Sequence, residues 1–240
     1  MRTLCAITFF ALLQYVMFAT AQVKNDSIIG ENITAYLQLS YDSNYSARYE
    51  NKTGWQNISE YLTYLVKKAE DHFHEELVMV NFTVLNVTLK DDLFVFNSSG
   101  LIDGNKTLQN MTQYAMSQNA TNNTIHCHCS GNRFYGKYWS NINTSILTDM
   151  ATNSTFCKRP SAMLFLEFPG TENPYSLVKG LGTTMGAHNR VWFTKEDKTA
   201  MNKTFKRCTK KQRSRRRNKG KGRREKQSGR KGKQHNQKAS

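Results

Sequence analysis

The last 35 residues, Lys206 to Ser240, decide where this chain can fold. They carry 17 of its 34 lysines and arginines against one acid, Glu225, and almost no apolar side chain. Such a segment cannot bury enough surface to offset its own ordering entropy, so a disordered tail is expected. The net charge of +16 is therefore essentially the tail's charge. From Gln22 to Phe205 the chain holds 16 bases and 17 acids and is close to neutral. That stretch of roughly 185 residues is long enough to bury a core as one domain.

At the other end, Arg2 precedes an apolar run from Leu4 to Phe18 and a small-x-small site at Ala19-Thr20-Ala21. This pattern reads as a secretory signal peptide over residues 1–21, too short and wrongly flanked to span a membrane. No later stretch reaches the roughly 18 apolar residues of a transmembrane helix, so the expected product is secreted and extracellular. The chain divides into a signal peptide (1–21), a glycosylated domain (22–208) and a basic tail (209–240).

Fifteen Asn-x-Ser/Thr sequons agree with export. They start at Asn25, Asn32, Asn44, Asn51, Asn57, Asn81, Asn86, Asn97, Asn105, Asn110, Asn119, Asn122, Asn143, Asn153 and Asn202. Each one used must lie on the surface. Cys5 leaves with the signal peptide. The remaining Cys127, Cys129, Cys157 and Cys208 read as two disulfides. Cys127 and Cys129 are too close along an extended strand to bridge each other, so each is expected to pair with Cys157 or Cys208.

Hydrophobic periodicity outlines the elements. Ile33 to Tyr41 alternates as a strand, and Trp55 to Phe73 repeats every three to four residues as an amphipathic helix. Leu77 to Leu89 is a β-branched strand, with a short third strand expected at Leu93–Phe96. Asp103 or Asn105 caps a helix running to about Gln118. Thr124–Ser130 is extended and leads into a loop-rich stretch through Cys157. Ala162–Leu166 is a further strand, and Pro174 opens a helix ended by Gly186. The order is that of a mixed α/β (α+β) domain, with helices packed on a mixed twisted sheet.

The stretch SLVKGLGTTMGAHNR, Ser176 to Arg190, resembles the zinc helix of adamalysin/reprolysin metalloproteases, which reads H-E-L-G-H-x-L-G-x-x-H-D. In that register Lys179, Thr183 and Asn189 stand where the three histidines would be. Gly180 stands for the catalytic glutamate and Arg190 for the aspartate. Leu181-Gly182 and Met185-Gly186 match the framework, and Met201 falls where the family's methionine turn would lie. The upstream element order also resembles that family's upper subdomain. The signal peptide, sequon density and mass of 27.6 kDa further resemble the 28 kDa metastriate secreted proteins of tick saliva. What the resemblance implies is a metzincin-like fold without zinc chemistry. Three protein ligands with free lone pairs are needed for a catalytic zinc, and Lys179 offers a cation instead. At about 4 Å and an effective dielectric near 20, two unit charges repel by about 4 kcal/mol, roughly double that for a divalent ion. Gly180 lacks the carboxylate that would activate a metal-bound water. No cofactor is expected. The implied role is capture of a host extracellular protein in haemostasis or immunity, by strand addition at the exposed sheet edge of the old cleft.

Two other readings stand beside it: an active reprolysin-type zinc endopeptidase with its metal held otherwise, and a cationic surface-binding protein whose globular part is purely structural. His126-Cys127-His128-Cys129 is not expected to hold a metal, because alternation sends the histidines one way and the cysteines the other. His72 to Glu76 reads as a solvated helix end. In the tail, Lys210, Lys211, Arg213, Arg215, Arg216, Arg217, Arg223 and Arg224 are candidates for binding polyanions, either heparan sulfate or anionic phospholipid. Nucleic acid is excluded as a partner by the secretory route.

Overall fold

A computed structural model describes residues 27–49, 57–137, 145–188 and 190–208. The signal peptide, Asn25, Asn51, Trp55, Asn143, Asn189 and all the tail bases from Lys210 to Arg224 lie outside these residues.

The main sheet has five strands in the order β2-β1-β4-β8-β7. They are β1 (Ile29–Tyr41), β2 (Val78–Leu89), β4 (Thr124–Ser130), β8 (Ser161–Leu166) and β7 (Asp149–Ala151). The first four are mutually parallel, and β7 adds antiparallel to β8 at one edge. A small second sheet joins β3 (Ile102–Asp103), β5 (Phe134–Gly136) and β6 (Ser145–Leu147). The helices are α1 (Ser43–Tyr49), α2 (Ile58–Glu75), α3 (Gly104–Ser117), α4 (Tyr175–Met185) and α5, residues 195–208. This is the mixed α/β class that the periodicities indicate.

Alternation along the buried strands assigns the two faces. Cys127 and Cys129 of β4 and Met163 and Phe165 of β8 point into the larger core, which also takes Leu65 and Phe73 of α2, Leu181 of α4 and Phe205 of α5. Ala162, Leu164 and Leu166 point the other way, against Met111 of α3 and Phe134 of β5. His126 and His128 share that second face, meeting the rings of Tyr114 and Phe94. The pairing of β2 with β1 has two irregularities, one between Ile29 and Ile33 and a bulge where Val84 pairs with Leu37 and Asn86 with Gln38, leaving Leu85 unpaired and exposed.

Several expectations are corrected. Leu93–Phe96 is not a strand; it makes only an isolated bridge from Phe96 to Ile102. The stretch before Cys157 contains β5, β6 and β7, each three residues long and too short to leave a periodicity. Helix α5 has no counterpart among the sequence expectations, although Thr194-x-x-Asp197 announces it. The Asp197 backbone amide donates to Thr194 Oγ1 (3.2 Å), and the Thr194 amide donates to Asp197 Oδ2 (3.0 Å). That is a reciprocal cap.

The disulfide pattern is also corrected. Cys157 bonds Cys208, Cα to Cα 5.1 Å, while Cys127 and Cys129 are free thiols in the core. The reason is reach. The Cys157 amide donates to Asn122 O just before β4 begins (2.7 Å). Cys127 lies five residues beyond Asn122, and three residues into the strand from Thr124 alone is about 10 Å at 3.3 Å per residue, beyond the ~7 Å a disulfide spans.

Candidate functional site

Helix α4 forms where the zinc-helix resemblance places it, between Pro174 and a left-handed Gly186 (φ 108°). Only glycine takes that turn without strain. At the position of the first ligand, Lys179 reaches across to β7, where its Nζ donates to Asp149 Oδ1 (2.6 Å) and Thr148 Oγ1 (3.0 Å). The Asp149 side chain is wholly buried and that of Lys179 is 22% exposed, so the two charges neutralise each other away from most of the water. At the second position Thr183 is buried and donates its hydroxyl to the Lys179 carbonyl one turn back (2.9 Å).

The position of the general base is filled by neighbours. A Cβ on Gly180 would stand 2.2 Å from Cε of Met163, so this glycine lets α4 lie directly on β8. Gly182 serves a different contact, since its missing side chain makes room for the Phe193 ring, 3.0 Å from a built Cβ. A zinc ion does not fit these described positions: an ammonium already paired, a hydroxyl turned to its own helix, and a glycine pressed on a core methionine. His188, one residue short of the third ligand position, binds Asp197 Oδ1 through Nδ1 (2.7 Å). Asp197 is held below the usual carboxylate range by hydrogen bonds from His188 and Thr194, which outweigh its burial.

Two further expectations change. Met201 does not sit in a turn; it is fully buried inside α5. The sheet edge beside α4 is not open to an extended peptide either. All three residues of β7 are buried, Asp149 at 0%, Met150 at 6% and Ala151 at 4% exposure, so strand addition there has no exposed backbone to use.

The chain is similar in structure to a metalloproteinase from Bacteroides fragilis (metalloproteinase-II), with a TM-score of 0.41, 10% identity and 73% of this chain covered. It spans 54% of that protein's length. It is also similar to an archaemetzincin from Methanopyrus kandleri, with a TM-score of 0.40 and 11% identity, covering 73% of this chain and 98% of the other. No family model matches the chain, and no curated protein does.

Several other buried polar groups have hydrogen-bonding partners, whereas Nε2 of His126 and of His128 is buried without one. Glu167, just past β8, accepts from Tyr61 Oη (3.2 Å) and from Thr171 Oγ1, and burial raises its carboxyl to about 7. His126 and His128 are lowered to about 4 by burial. Ser40 Oγ lies 2.7 Å from His128 Nδ1. His72 is not solvated as its sequence context suggests. It is buried, 2.8 Å from Val191 O through Nε2, with Trp192 packed on its ring, while Glu76 accepts from the Phe193 amide (3.3 Å). Together they fasten the 190–193 segment to α2. Asp149 and Glu167 carried no sequence signal, since single acids in apolar or loop contexts look like surface.

Every sequon asparagine among the described residues is at least partly exposed. Asn105, Asn110 and Asn122 already donate their side-chain amides to the carbonyls of Lys137, Leu93 and Lys158. No helix among the described residues is long and apolar enough to cross a membrane.

Proposed function

We propose that this chain is a secreted, non-catalytic glycoprotein on a metalloprotease-like scaffold, working as a binding protein and held near anionic surfaces by its basic tail. The observation that carries the reading is the Lys179–Asp149 pair across α4 and β7. A metal seated there would have to expel the Lys179 ammonium from its largely buried pair with Asp149, a loss of about 2–3 kcal/mol that metal binding must first make good. Targets among host haemostatic or immune proteins are part of this proposal, supported by the sequence resemblance to tick salivary proteins. With β7 covered, capture falls to other surfaces than the old protease edge.

The test is elemental analysis of the purified protein together with a chelator-sensitive casein or gelatin assay. The expected result is sub-stoichiometric zinc and no cleavage. One zinc per chain with chelator-sensitive cleavage would overturn the reading in favour of the active endopeptidase.

A further inference from the structure

A bulge decides which way Asn86 points. Leu85 is the extra residue of β2, so Asn86 pairs with Gln38, where an unbroken register would set it opposite Leu39 on the side of the larger core. One residue of slip turns a side chain to the other face of a sheet. Asn86 and Thr88, the two ends of one sequon, therefore share a face with His126, which pairs with Gln38 from β4. On that face a cleft of about 20 Å³ opens between the sheet and α3. Its lining is mixed: Gln38, Asn86, Thr88 and His126 are polar, Leu93 and Met111 apolar. His126 is only 4% exposed, and its Nε2 is buried without a hydrogen-bond partner. Tyr114 meets the His126 ring edge-on (5.7 Å), and the Lys90 ammonium lies over the Tyr114 ring (4.6 Å).

We propose that this cleft holds the N-acetyl group of the innermost sugar of a glycan on Asn86. An N-glycan is joined to its asparagine through N-acetylglucosamine. The acetamido group of that sugar sits next to the linkage carbon, so it reaches only what lies beside the asparagine itself. Here that is the cleft. A water-sized group needs roughly 10–15 Å³, so the space suits an amide oxygen with its methyl rather than a whole sugar. The oxygen accepts from His126 Nε2 in the tautomer that carries its proton there, and the methyl meets Met111 and Leu93. A buried nitrogen left without a partner is costly, and this contact removes the cost. Burial keeps the imidazole neutral, which matches an uncharged amide. Docking of this kind presupposes a glycosylated chain, the reading proposed above.

The experiment uses the full secreted chain in its folded state and a peptide-N-glycanase. Mass spectrometry follows release at each site, since every freed asparagine becomes aspartate. The Asn86 glycan is expected to leave at least five-fold more slowly than the average of the other occupied sequons, and at their rate from the denatured chain. His126→Leu removes the donor and keeps an apolar group, and Tyr114→Ala takes away one wall. Each is expected to bring the folded ratio below two-fold, so misfolding of one variant leaves the other decisive. Release at Asn86 as fast as elsewhere would overturn the proposal. So would slow release that neither variant changes, because the sheet edge alone would then be shielding the linkage. A bare Asn86 beside other occupied sequons would overturn the docking and leave the glycoprotein reading standing. Bare asparagines at every sequon would overturn both.

Discussion

Lys179 and Gly180 show how two adjacent residues can fasten one helix to a sheet in different ways. Lysine ties α4 to the sheet edge through Asp149, and glycine lets the helix sit on Met163. Lys179→Met would strand the Asp149 carboxylate. The pair is partly solvated on the lysine side, so the expected loss is about 2–3 kcal/mol, at the lower end for a broken buried pair. Adding Asp149→Asn should restore more than half of it, and a urea-denaturation double-mutant cycle reads the coupling directly. If the two losses simply add, the pair is not what joins these elements. At Gly180 two effects oppose. Alanine gains about 1 kcal/mol in helix propensity, while overpacking a filled core costs about 1–3 kcal/mol. The expected net is a loss of about 1 kcal/mol, or roughly 2–4 °C in Tm for a domain of this size. Met163→Val, by shortening the obstructing side chain, should turn Gly180→Ala from harmful to neutral or better.

At the scale of elements, the two edges of the sheet are protected differently. Strand β7 is short and covered, whereas β2 is twelve residues long, with Asn81, Thr83, Leu85, Asn86 and Thr88 exposed along it. A long open edge invites pairing with another copy. The sequons at Asn81 and Asn86 fall on that strand, so glycans there would keep other strands away. Asn81→Gln/Asn86→Gln protein is expected to aggregate on concentration while its melting temperature stays within about 2 °C. Light scattering of the glycosylated parent and the variant decides it, and equal aggregation would remove the edge-guard role. The long elements were legible because α2, α3, β1, β2 and β4 repeat their pattern over enough residues to declare it. The three-residue strands were not, and α5 is hard to read because its cap lies in a polar stretch that looks like the beginning of the tail. The disulfide pairing is hidden for a different reason: strand alternation says that Cys127 and Cys129 share a face, but not that the face is the sealed core. Of the candidate site, the helix and its glycine stop were readable. The Asp149 partner, 30 residues upstream on another element, was visible only once β7 and α4 were placed side by side.

Over the whole molecule, burial sets two opposed pH dependences. Glu167 is raised from 4.5 to about 7 by desolvation, so the fold prefers it protonated. Its contribution is complete below pH 4.5 and is lost as pH rises through 7, because there the unfolded chain has already released a proton that the folded one still holds. His126 and His128 are lowered from 6.5 to about 4 by burial, so the fold prefers them neutral. Their contribution is complete above pH 6.5 and is lost as pH falls towards 4. Two histidines against one glutamate make stability climb between pH 4.5 and 6.5 with a net slope of about one proton, then level or dip slightly towards pH 7.5. Glu167→Gln keeps an acceptor for Tyr61 and Thr171 but cannot ionise. It should match the parent near pH 4 and exceed it by about 3 kcal/mol at pH 8, by the 1.36 kcal/mol carried per pKa unit. Urea midpoints of both proteins at pH 4, 6 and 8 check this. A variant whose advantage is the same at all three would mean that Glu167 titrates alike in the folded and unfolded chain, and that burial does not hold it as an acid.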